Sequence, residues 1–170
     1  MQIKKYIKDI EDFPKKGIIF RDISPLLASH EAFSYVIDNI SKKYSKNTID
    51  KIVGLDARGF IFGSVVSYKT GIPFVMVRKP GKLPDRCVSI DYELEYGINT
   101  FEIHKNSINK DDRILIIDDL LATGGSLTAV SKLLTKLGAK IQAYECIVEL
   151  GFLNARNDQN FEINSQVIYD

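Results

Sequence analysis

The sequence has few of the residues that mark disulfide-bonded or zinc-binding proteins. It contains two cysteines, Cys87 and Cys146, with no CxxC spacing and no accompanying histidine pattern. This excludes a disulfide framework and a cysteine-based zinc site, so we expect both to be reduced thiols. The two histidines, His30 and His104, are equally isolated, and we expect them to be surface or packing residues.

The chain also lacks an excess of charge of either sign. Its 170 residues include 23 Lys plus Arg and 22 Asp plus Glu, which gives a formal net charge of +1. Proteins that bind nucleic acid through its phosphates usually carry a basic excess, so we expect no nucleic-acid partner. With 45% hydrophobic and 26% charged residues, the composition is that of a globular protein, and the length favours one domain over residues 1–170.

Long hydrophobic runs are missing as well. A helix that crosses a bilayer needs about 20 predominantly apolar residues, and no stretch approaches that length without charges. The first residues, MQIKKYIKDIEDFPKKG, carry charges every two or three positions, unlike the apolar core of a signal peptide. We therefore expect no membrane partner and a cytoplasmic location.

What the sequence does contain is an alternation of short apolar runs with amphipathic segments. Apolar residues at helical spacing, or a closing glycine, predict helices over 31–45, 59–70 and 126–137. Short apolar runs predict strands over 51–56, 72–77, 114–117 and 141–150. Runs that are apolar throughout are typical of strands buried on both faces. The predicted fold class is α/β, with a central, mainly parallel twisted sheet and helices on both faces.

Two segments lie outside this alternation. Residues 1–30 form a short N-terminal unit in which Pro14, Gly17 and Pro25 should break any helix. Residues 79–104 form a long excursion between two elements, which we expect to be a hairpin with a mobile tip. Long loops in compact domains are commonly functional, and the charged and aromatic residues of this one favour function.

The most informative motif follows the third predicted strand. In ILIIDDLLATGGS, residues 114–126, the strand ends in Asp118 and Asp119, and a loop of small residues then enters a helix at Ser126. Small residues let backbone N–H groups approach an anion, and a helix N-terminus adds partial positive charge, so the loop should bind phosphate. Carboxylates next to a phosphate can accept hydrogen bonds from sugar hydroxyls. The motif therefore favours a phosphoribosyl group as the ligand.

The string IDDLLATGGS resembles the phosphoribosyl-diphosphate motif of the type I phosphoribosyltransferase family. Five other segments resemble the adenine-using members of this family in the same order: FPKKGIIFRDISPLL, GLDARGFIFG, VRKPGKLP, YELEYG and IVEL. The resemblance covers residues 13 to about 156. It implies the type I phosphoribosyltransferase fold, with a small hood over residues 1–30 and a flexible hairpin loop over about 79–104.

The implied activity is purine salvage. The enzyme would transfer the 5-phosphoribosyl group from 5-phosphoribosyl diphosphate to adenine, giving AMP and diphosphate. The resemblance further implies Mg²⁺ as the cofactor, held mainly by the substrate rather than by protein side chains, and a homodimer. No side-chain nucleophile is needed, which agrees with a sequence that shows neither a Ser–His–Asp nor a Cys–His arrangement.

The resemblance also implies roles for individual residues. Asp118 and Asp119 would hold the ribose hydroxyls, and Glu95 and Tyr96 of the flexible loop would be the catalytic pair. The residues expected around the 5′-phosphate are Ala122, Thr123, Gly124, Gly125 and Ser126. Those expected around the pyrophosphate are Asp56, Ala57, Arg58, Arg78, Lys79 and Lys82. Those expected to contact adenine are Ile19, Phe20, Arg21 and Leu120.

Part of this assignment also has a reason in the chemistry of the side chains. The planar fork of Arg58 can bind two phosphate oxygens at once. The segment RKPGKLPDR, residues 78–86, places four basic residues close together, as a multiply charged pyrophosphate requires. In the resembling enzymes the turn at Asp56 and Ala57 usually contains a non-proline cis peptide bond, which we therefore expect here.

Two other functions stay open at this stage. A 6-oxopurine phosphoribosyltransferase would need the opposite hydrogen-bonding groups at position 6 of the purine. Such enzymes commonly place a Lys or Arg near that edge, and the stretch VELGFLNAR offers only Arg156, which favours adenine. A regulator that senses phosphoribosyl diphosphate would carry an added DNA-binding module, for which 170 residues leave no room. Ala155 stands where the family often has glycine, and the residues after Arg156 match no pattern that we can place.

Overall fold

The computed structural model describes the backbone of residues 1–94 and 97–170, and their side chains except at positions 93, 94, 97, 98, 157 and 158. The strands are β1 (Lys8–Ile10), β2 (Phe20–Asp22), β3 (Lys51–Leu55), β4 (Phe74–Val77), β5 (Cys87–Leu94), β6 (Gly97–His104), β7 (Arg113–Leu121), β8 (Lys140–Leu150) and β9 (Glu162–Tyr169). The α-helices are α1 (Ser24–Ala28), α2 (His30–Ser41), α3 (Gly59–Thr70) and α4 (Gly125–Lys136).

The centre of the fold is a five-stranded sheet in the order β4-β3-β7-β8-β9, and each neighbouring pair is parallel. α2 and α3 pack on one face, where Leu115 and Ile117 of β7 join their core. α4 packs on the other face, with Ile114 and Ile116. Because successive side chains of a strand point to opposite faces, a central strand covered on both sides must be apolar at every position. The predicted α/β class with a parallel central sheet is confirmed.

The helix boundaries follow from capping groups. α2 begins after Ser29, whose side-chain oxygen accepts a hydrogen bond from the Ala32 N–H at 3.3 Å. It ends at Ser41, so the predicted helix over 31–45 extended about one turn too far. α3 has the predicted bounds and is closed by Gly71, whose φ of 70° suits a residue without a side chain.

Two expectations about single elements were wrong, and one strand was missed. β4 was expected to be buried on both faces, but it lies at an edge of the sheet and leaves Met76 40% exposed. Pro25 was expected to break any helix, yet it lies in the first turn of α1, where its missing N–H has no intrahelical partner to lose. The parallel edge strand β9 was not predicted at all.

Two smaller antiparallel pairs flank the central sheet. β1 and β2 pair within the N-terminal segment, and β5 and β6 form the expected hairpin, in register from Cys87 opposite His104. The hairpin is tied to the end of β4 by two backbone hydrogen bonds between Arg78 and Glu102, at 2.9 and 2.8 Å. Glu95 and Tyr96, which were predicted to act from this loop, are outside the residues that the structure describes. Across the described chain, no helix has the length and apolar character that a membrane crossing requires.

Candidate active site

A cavity of about 330 Å³ opens at the carboxyl ends of β3 and β7. Ligands of parallel α/β proteins bind at this end of the sheet. The turn after β3, the end of β7 and the loop that enters α4 line the cavity. The lining residues are Asp56, Ala57, Arg58, Asp118–Leu127 and Tyr144. Two motifs that are far apart in the sequence therefore share one cleft.

The loop before α4 leaves the helix N-terminus open to the cleft. Gly124, the residue just before α4, has a φ of 83°, which favours glycine. In the described chain no side chain caps this end, and the first turn of α4 contains no acidic residue. The first N–H groups of a helix have no intrahelical acceptor and carry partial positive charge. This end of α4 can therefore bind an anion, as the small-residue loop predicted.

The carboxylates at the end of β7 lie in an environment that disfavours their charge. The Asp119 side chain is only 8% exposed, and the Asp119 N–H donates to Asp118 Oδ1 at 2.9 Å. Burial and the neighbouring Asp119 raise the pKa of Asp118 well above its ordinary value. Burial also raises the pKa of Asp119, although the charge of Arg58 acts in the opposite direction. Groups that donate hydrogen bonds to these carboxylates would relieve part of that cost.

Arg58 connects the turn after β3 to the end of β7. Its Nη2 lies 2.8 Å from Asp119 Oδ2, and its guanidinium lies 5.2 Å from the centre of the Phe20 ring. The side chain remains about one-third exposed. In the same turn, the peptide bond between Asp56 and Ala57 is cis, as the resemblance implied. One side chain thus reaches both the acidic pair and the N-terminal segment.

Gly59 makes this connection possible because it allows a close approach between α3 and β7. A Cβ atom at this position would lie 2.7 Å from the carbonyl oxygen of Ile117 and 3.1 Å from Asp118 Oδ1. Any larger residue would push the start of α3 away from β7. The glycine after Arg58 therefore brings the arginine within reach of Asp119.

The basic segment after β4 lies beside the cleft rather than within its lining. Arg78 Nε donates to Asp56 Oδ2 at 3.1 Å, and Arg78 Nη1 donates to the carbonyl of Lys82 at 3.3 Å. The Lys79 N–H is 3.5 Å from the same oxygen of Asp56. Lys79 and Lys82 are both exposed. Arg78 is thus fixed next to the cleft, while the two lysines face solvent at its margin.

The predicted purine contacts are brought together only in part. Leu120 lines the cleft. Phe20 does not line it, but its ring lies next to the guanidinium of Arg58, which does. Ile19 is 47% exposed. The Arg21 side chain forms an ion pair with Asp9, and its guanidinium lies 3.8 Å from the centre of the Tyr169 ring. The Arg21 side chain is therefore directed to Asp9 and Tyr169 rather than to the cleft.

Tyr144 was not predicted as a site residue. It is fully buried at the base of the cleft, and its hydroxyl donates to the Leu120 carbonyl at 3.4 Å. Burial raises the pKa of Tyr144, so the hydroxyl stays protonated. The residue lies in the buried stretch of β8, and nothing in its sequence neighbourhood distinguishes a site residue from a core residue.

Arg156, which was weighed as a contact to a 6-oxopurine, is partly exposed and is paired with groups of β8 and β9 instead. Its Nε and Nη2 donate to the two carboxylate oxygens of Glu149, each at 2.6 Å, and its Nη1 donates to the Ile163 carbonyl at 2.7 Å. Glu149 is 4% exposed. The one basic residue that could have supported a 6-oxopurine pocket therefore has its donors committed to the sheet.

Comparisons with known proteins agree with this geometry. The family model of the phosphoribosyl transferase domain matches residues 23–168. The adenine phosphoribosyltransferase of Geotalea uraniireducens is 49% identical over 156 residues, which cover 92% of this chain and 91% of that protein. The adenine phosphoribosyltransferase of Thermotoga petrophila is 45% identical over 170 residues, covering 99% and 100%.

Solved structures give the same result. The crystal structure of adenine phosphoribosyltransferase from Thermoanaerobacter pseudethanolicus superimposes with a TM-score of 0.93 at 44% identity, over 98% of each chain. The Saccharomyces cerevisiae enzyme, crystallised with adenine and an imino-altritol bisphosphate, gives a TM-score of 0.91 at 37% identity over 97% and 96%. Sequence and fold are therefore similar over almost the whole chain.

Proposed function

This chain belongs to the phosphoribosyltransferase family, and within it to the adenine phosphoribosyltransferases. We propose that the cleft at the carboxyl ends of β3 and β7 is its active site. In this purine-salvage reaction adenine displaces pyrophosphate at C1 of 5-phosphoribosyl diphosphate and forms AMP. The observation that carries the proposal is the shared cleft. It places two buried carboxylates, an uncapped helix N-terminus and an arginine around one cavity.

The phosphoribosyl group occupies the part of the cleft formed by β7 and α4. Ribose hydroxyls donate to Asp118 and Asp119, whose burial leaves them short of donors. The 5′-phosphate lies at the helix N-terminus, against the loop formed by Ala122, Thr123, Gly124, Gly125 and Ser126. This arrangement explains why a phosphate loop directly follows two acidic residues.

The pyrophosphate lies towards the turn after β3. When substrate hydroxyls satisfy Asp119, the guanidinium of Arg58 can turn to the pyrophosphate, which it binds through two oxygens. Asp56 and Ala57 supply the turn, and Asp56 holds Arg78 beside it. Lys79 and Lys82 add positive charge at the margin. Electrostatic stabilisation of the leaving group is the largest contribution expected of these residues.

Adenine lies between the N-terminal hood, residues 1–30, and Leu120. Phe20 stacks on the base from one side and Leu120 packs from the other, while backbone groups of Ile19 and Arg21 read its edge. Glu95 handles a proton near the purine and Tyr96 assists it. Closure of the flexible loop, residues 79–104, excludes water that would otherwise hydrolyse the activated sugar.

Mg²⁺ fits this cleft as an ion carried mainly by the pyrophosphate. Within residues 1–94 and 97–170, no three His, Cys, Asp or Glu side chains cluster as they do in a metal centre built by protein alone. Mg²⁺ prefers oxygen ligands and is commonly held by substrate phosphates with one or two carboxylates. The carboxylates that line the cleft are those of Asp56, Asp118 and Asp119, and Asp56 is already paired with Arg78. When bound, the ion neutralises charge on the leaving group.

We also propose that the enzyme acts in the cytoplasm as a homodimer. Cys87 and Cys146 are free thiols, as is usual in a reducing compartment. Ile61 of α3 and Met76 of β4 are 36% and 40% exposed and lie on the side of the sheet that α3 covers. Tyr68 at the far end of α3 is 90% exposed. A second copy could cover these apolar side chains.

An assay with four bases in parallel tests the activity. The enzyme receives Mg²⁺, 5-phosphoribosyl diphosphate and either adenine, hypoxanthine, guanine or xanthine, and nucleotide formation is measured. We expect AMP from adenine and turnover at least about a thousandfold lower with each 6-oxopurine, because a pocket built for the amino group leaves buried groups unpaired with an oxo group. Faster use of a 6-oxopurine would contradict the specificity, and no turnover of any base would indicate a binding protein.

A further inference from the structure

The phosphate loop has a buried neighbour, Ala155, that does not itself line the cavity. A Cβ atom built on Gly124 would lie 3.1 Å from Ala155 Cβ and 3.5 Å from the Ala155 carbonyl oxygen. Ala155 itself is 7% exposed and is absent from the residues that line the cleft. It therefore packs against the loop at Gly124 without forming part of the cavity lining.

Arg156 holds Ala155 in this place. Ala155 begins a short 3₁₀ turn, and the guanidinium of the next residue, Arg156, lies against β8 and β9. Two donors of Arg156 reach the Glu149 carboxylate at 2.6 Å, and a third reaches the Ile163 carbonyl of β9 at 2.7 Å. The hydroxyl of Ser165 also donates to Glu149. A bidentate pair with a buried carboxylate fixes the orientation of an arginine as well as its distance.

Glu149, the carboxylate partner of Arg156, is also close to the phosphate loop, because its strand pairs with β7. Glu149 of β8 is paired with Leu121, the last residue of β7 before the phosphate loop. A second contact comes from Gln159, whose Nε2 donates to Thr128 Oγ1 at 2.9 Å. The Thr128 N–H in turn donates to the Gly124 carbonyl at 2.8 Å, within the first turn of α4. The segment 155–159 thus contacts both the loop and the start of the helix.

We propose that Arg156 is a positioning residue for the 5′-phosphate: through Glu149 it holds Ala155 against Gly124 and so fixes the N–H groups at the start of α4. The inference rests on the proposed function because it assumes that the phosphate binds in this loop. Arg156 does not contact the substrate. Its effect is on how well the loop is preorganised, and displacements of about 1 Å at a binding site can cost a hundredfold.

The test compares two arginines. Arg156→Ala should raise the KM for 5-phosphoribosyl diphosphate about tenfold or more, and weaken the calorimetric affinity for ribose 5-phosphate equally, since the loop is no longer held. The KM for adenine and kcat should stay within about twofold, because neither the purine contacts nor the leaving-group contacts are touched. Arg156→Lys keeps the charge but not the bidentate geometry. Its affinity for ribose 5-phosphate should therefore lie between those of the unaltered protein and Arg156→Ala.

Arg113→Ala is the matched control. Arg113 also forms a bidentate pair, with Asp50, at 2.9 Å for each bond, and its side chain is 36% exposed against 43% for Arg156. Arg113 is the first residue of β7, whereas the phosphate loop follows the last one. Its loss should therefore lower the Tm without changing the affinity for ribose 5-phosphate. If Arg156→Ala behaves like Arg113→Ala, the positioning role is wrong and the pair is purely structural.

A milder variant covers the case in which Arg156→Ala does not fold. Gln159→Ala removes only the hydrogen bond to Thr128 and should weaken ribose 5-phosphate about threefold, in line with one net hydrogen bond. An unchanged affinity in a folded Gln159→Ala protein would contradict the role of this segment. Because binding of ribose 5-phosphate needs no adenine, failure of the positioning role can be told apart from failure of the adenine reaction.

Discussion

The carboxyl groups at the two ends of β7 lie in opposite electrostatic environments. At the amino end, Arg113 donates three hydrogen bonds to Asp50, from its backbone N–H and two guanidinium nitrogens, at 2.8 to 2.9 Å. These bonds hold the pKa of Asp50 well below its usual range. At the carboxyl end, Asp118 has a raised pKa, and Asp119 shares one contact at 2.8 Å with Arg58. Burial there is greater and hydrogen bonding is poorer.

The difference separates a structural ion pair from a binding site. Asp50 and Arg113 satisfy each other, so a ligand would have nothing to gain from either. The carboxylates of the cleft are buried with few hydrogen-bond donors, which lowers the stability of the fold. A substrate that donates hydrogen bonds to them would offset part of this free-energy cost. Raised carboxyl pKa values at the end of a parallel strand, beside a cavity, therefore mark Asp118 and Asp119 as candidates for a functional site.

Removing both cleft carboxylates should give the largest effect. In the Asp118→Asn, Asp119→Asn double variant, each lost hydrogen bond to a charged group is worth about 1.5–3 kcal/mol, so kcat/KM for 5-phosphoribosyl diphosphate should fall about a hundredfold to ten-thousandfold. The Tm should not fall, because two buried, mutually repelling carboxyls are gone. Steady-state kinetics and thermal melts measure the two quantities. Unchanged kinetics would remove the ribose role, and a large loss of Tm would make the pair structural.

Changing Arg58 should have a smaller effect that is directed at the leaving group. Arg58→Ala should weaken pyrophosphate binding in the reverse reaction about tenfold to a hundredfold, since the charge-assisted interaction of one guanidinium with the pyrophosphate is lost. It should also raise the pKa of Asp119, because Arg58 now opposes the effect of burial on that carboxyl. Product-inhibition kinetics measure the first effect and carboxyl-carbon NMR titration the second. An unaltered affinity for pyrophosphate would exclude Arg58 from that subsite.

The smallest effect is expected at the other end of β7. Asp50→Asn should lower the Tm by a few degrees at pH 7 and leave every KM unchanged, because partly exposed ion pairs contribute little. The folded-state pKa of Asp50 is depressed, so its contribution is present above the unfolded carboxyl value of about 4 and is lost as the pH falls below it. The Tm difference from the unaltered protein should therefore shrink between pH 7 and pH 3. A constant difference would show that the charge of Asp50 is not what stabilises the fold.

The central sheet could be predicted from the sequence because of how it is buried. β7 is covered on both faces, so its sequence is apolar at successive positions and stands out. β9, EINSQVIY, lies at the edge with only part of its surface covered, and polar residues interrupt it. An edge strand needs only one neighbour and one covered face, so its composition is close to that of a loop.

The site could be predicted as motifs but not as contacts. Backbone recognition of phosphate demands small residues in a fixed order before a helix, and this order is visible in the loop that ends at Ser126. The pairing of Arg58 with Asp119 depends on how closely α3 approaches β7 at Gly59, which only the folded chain defines. The same holds for Arg156, whose carboxylate partner Glu149 lies seven residues earlier on another element. The roles assigned to the site residues stay predictions until the variants are measured.

The short edge strand β4 has a consequence for how copies of the protein can associate. It has only four residues, Phe74–Val77, with Pro73 before it and Pro80 shortly after it, and just beyond it the backbone of Arg78 is already paired with Glu102 of the hairpin. Prolines cannot donate to a neighbouring strand, and a short edge strand offers few free N–H groups. This edge therefore disfavours extension of the sheet by a second chain, and the proposed second copy would dock through side chains such as Met76. Contacts of that kind can close into a symmetric pair, whereas strand addition at this edge would continue into fibrils.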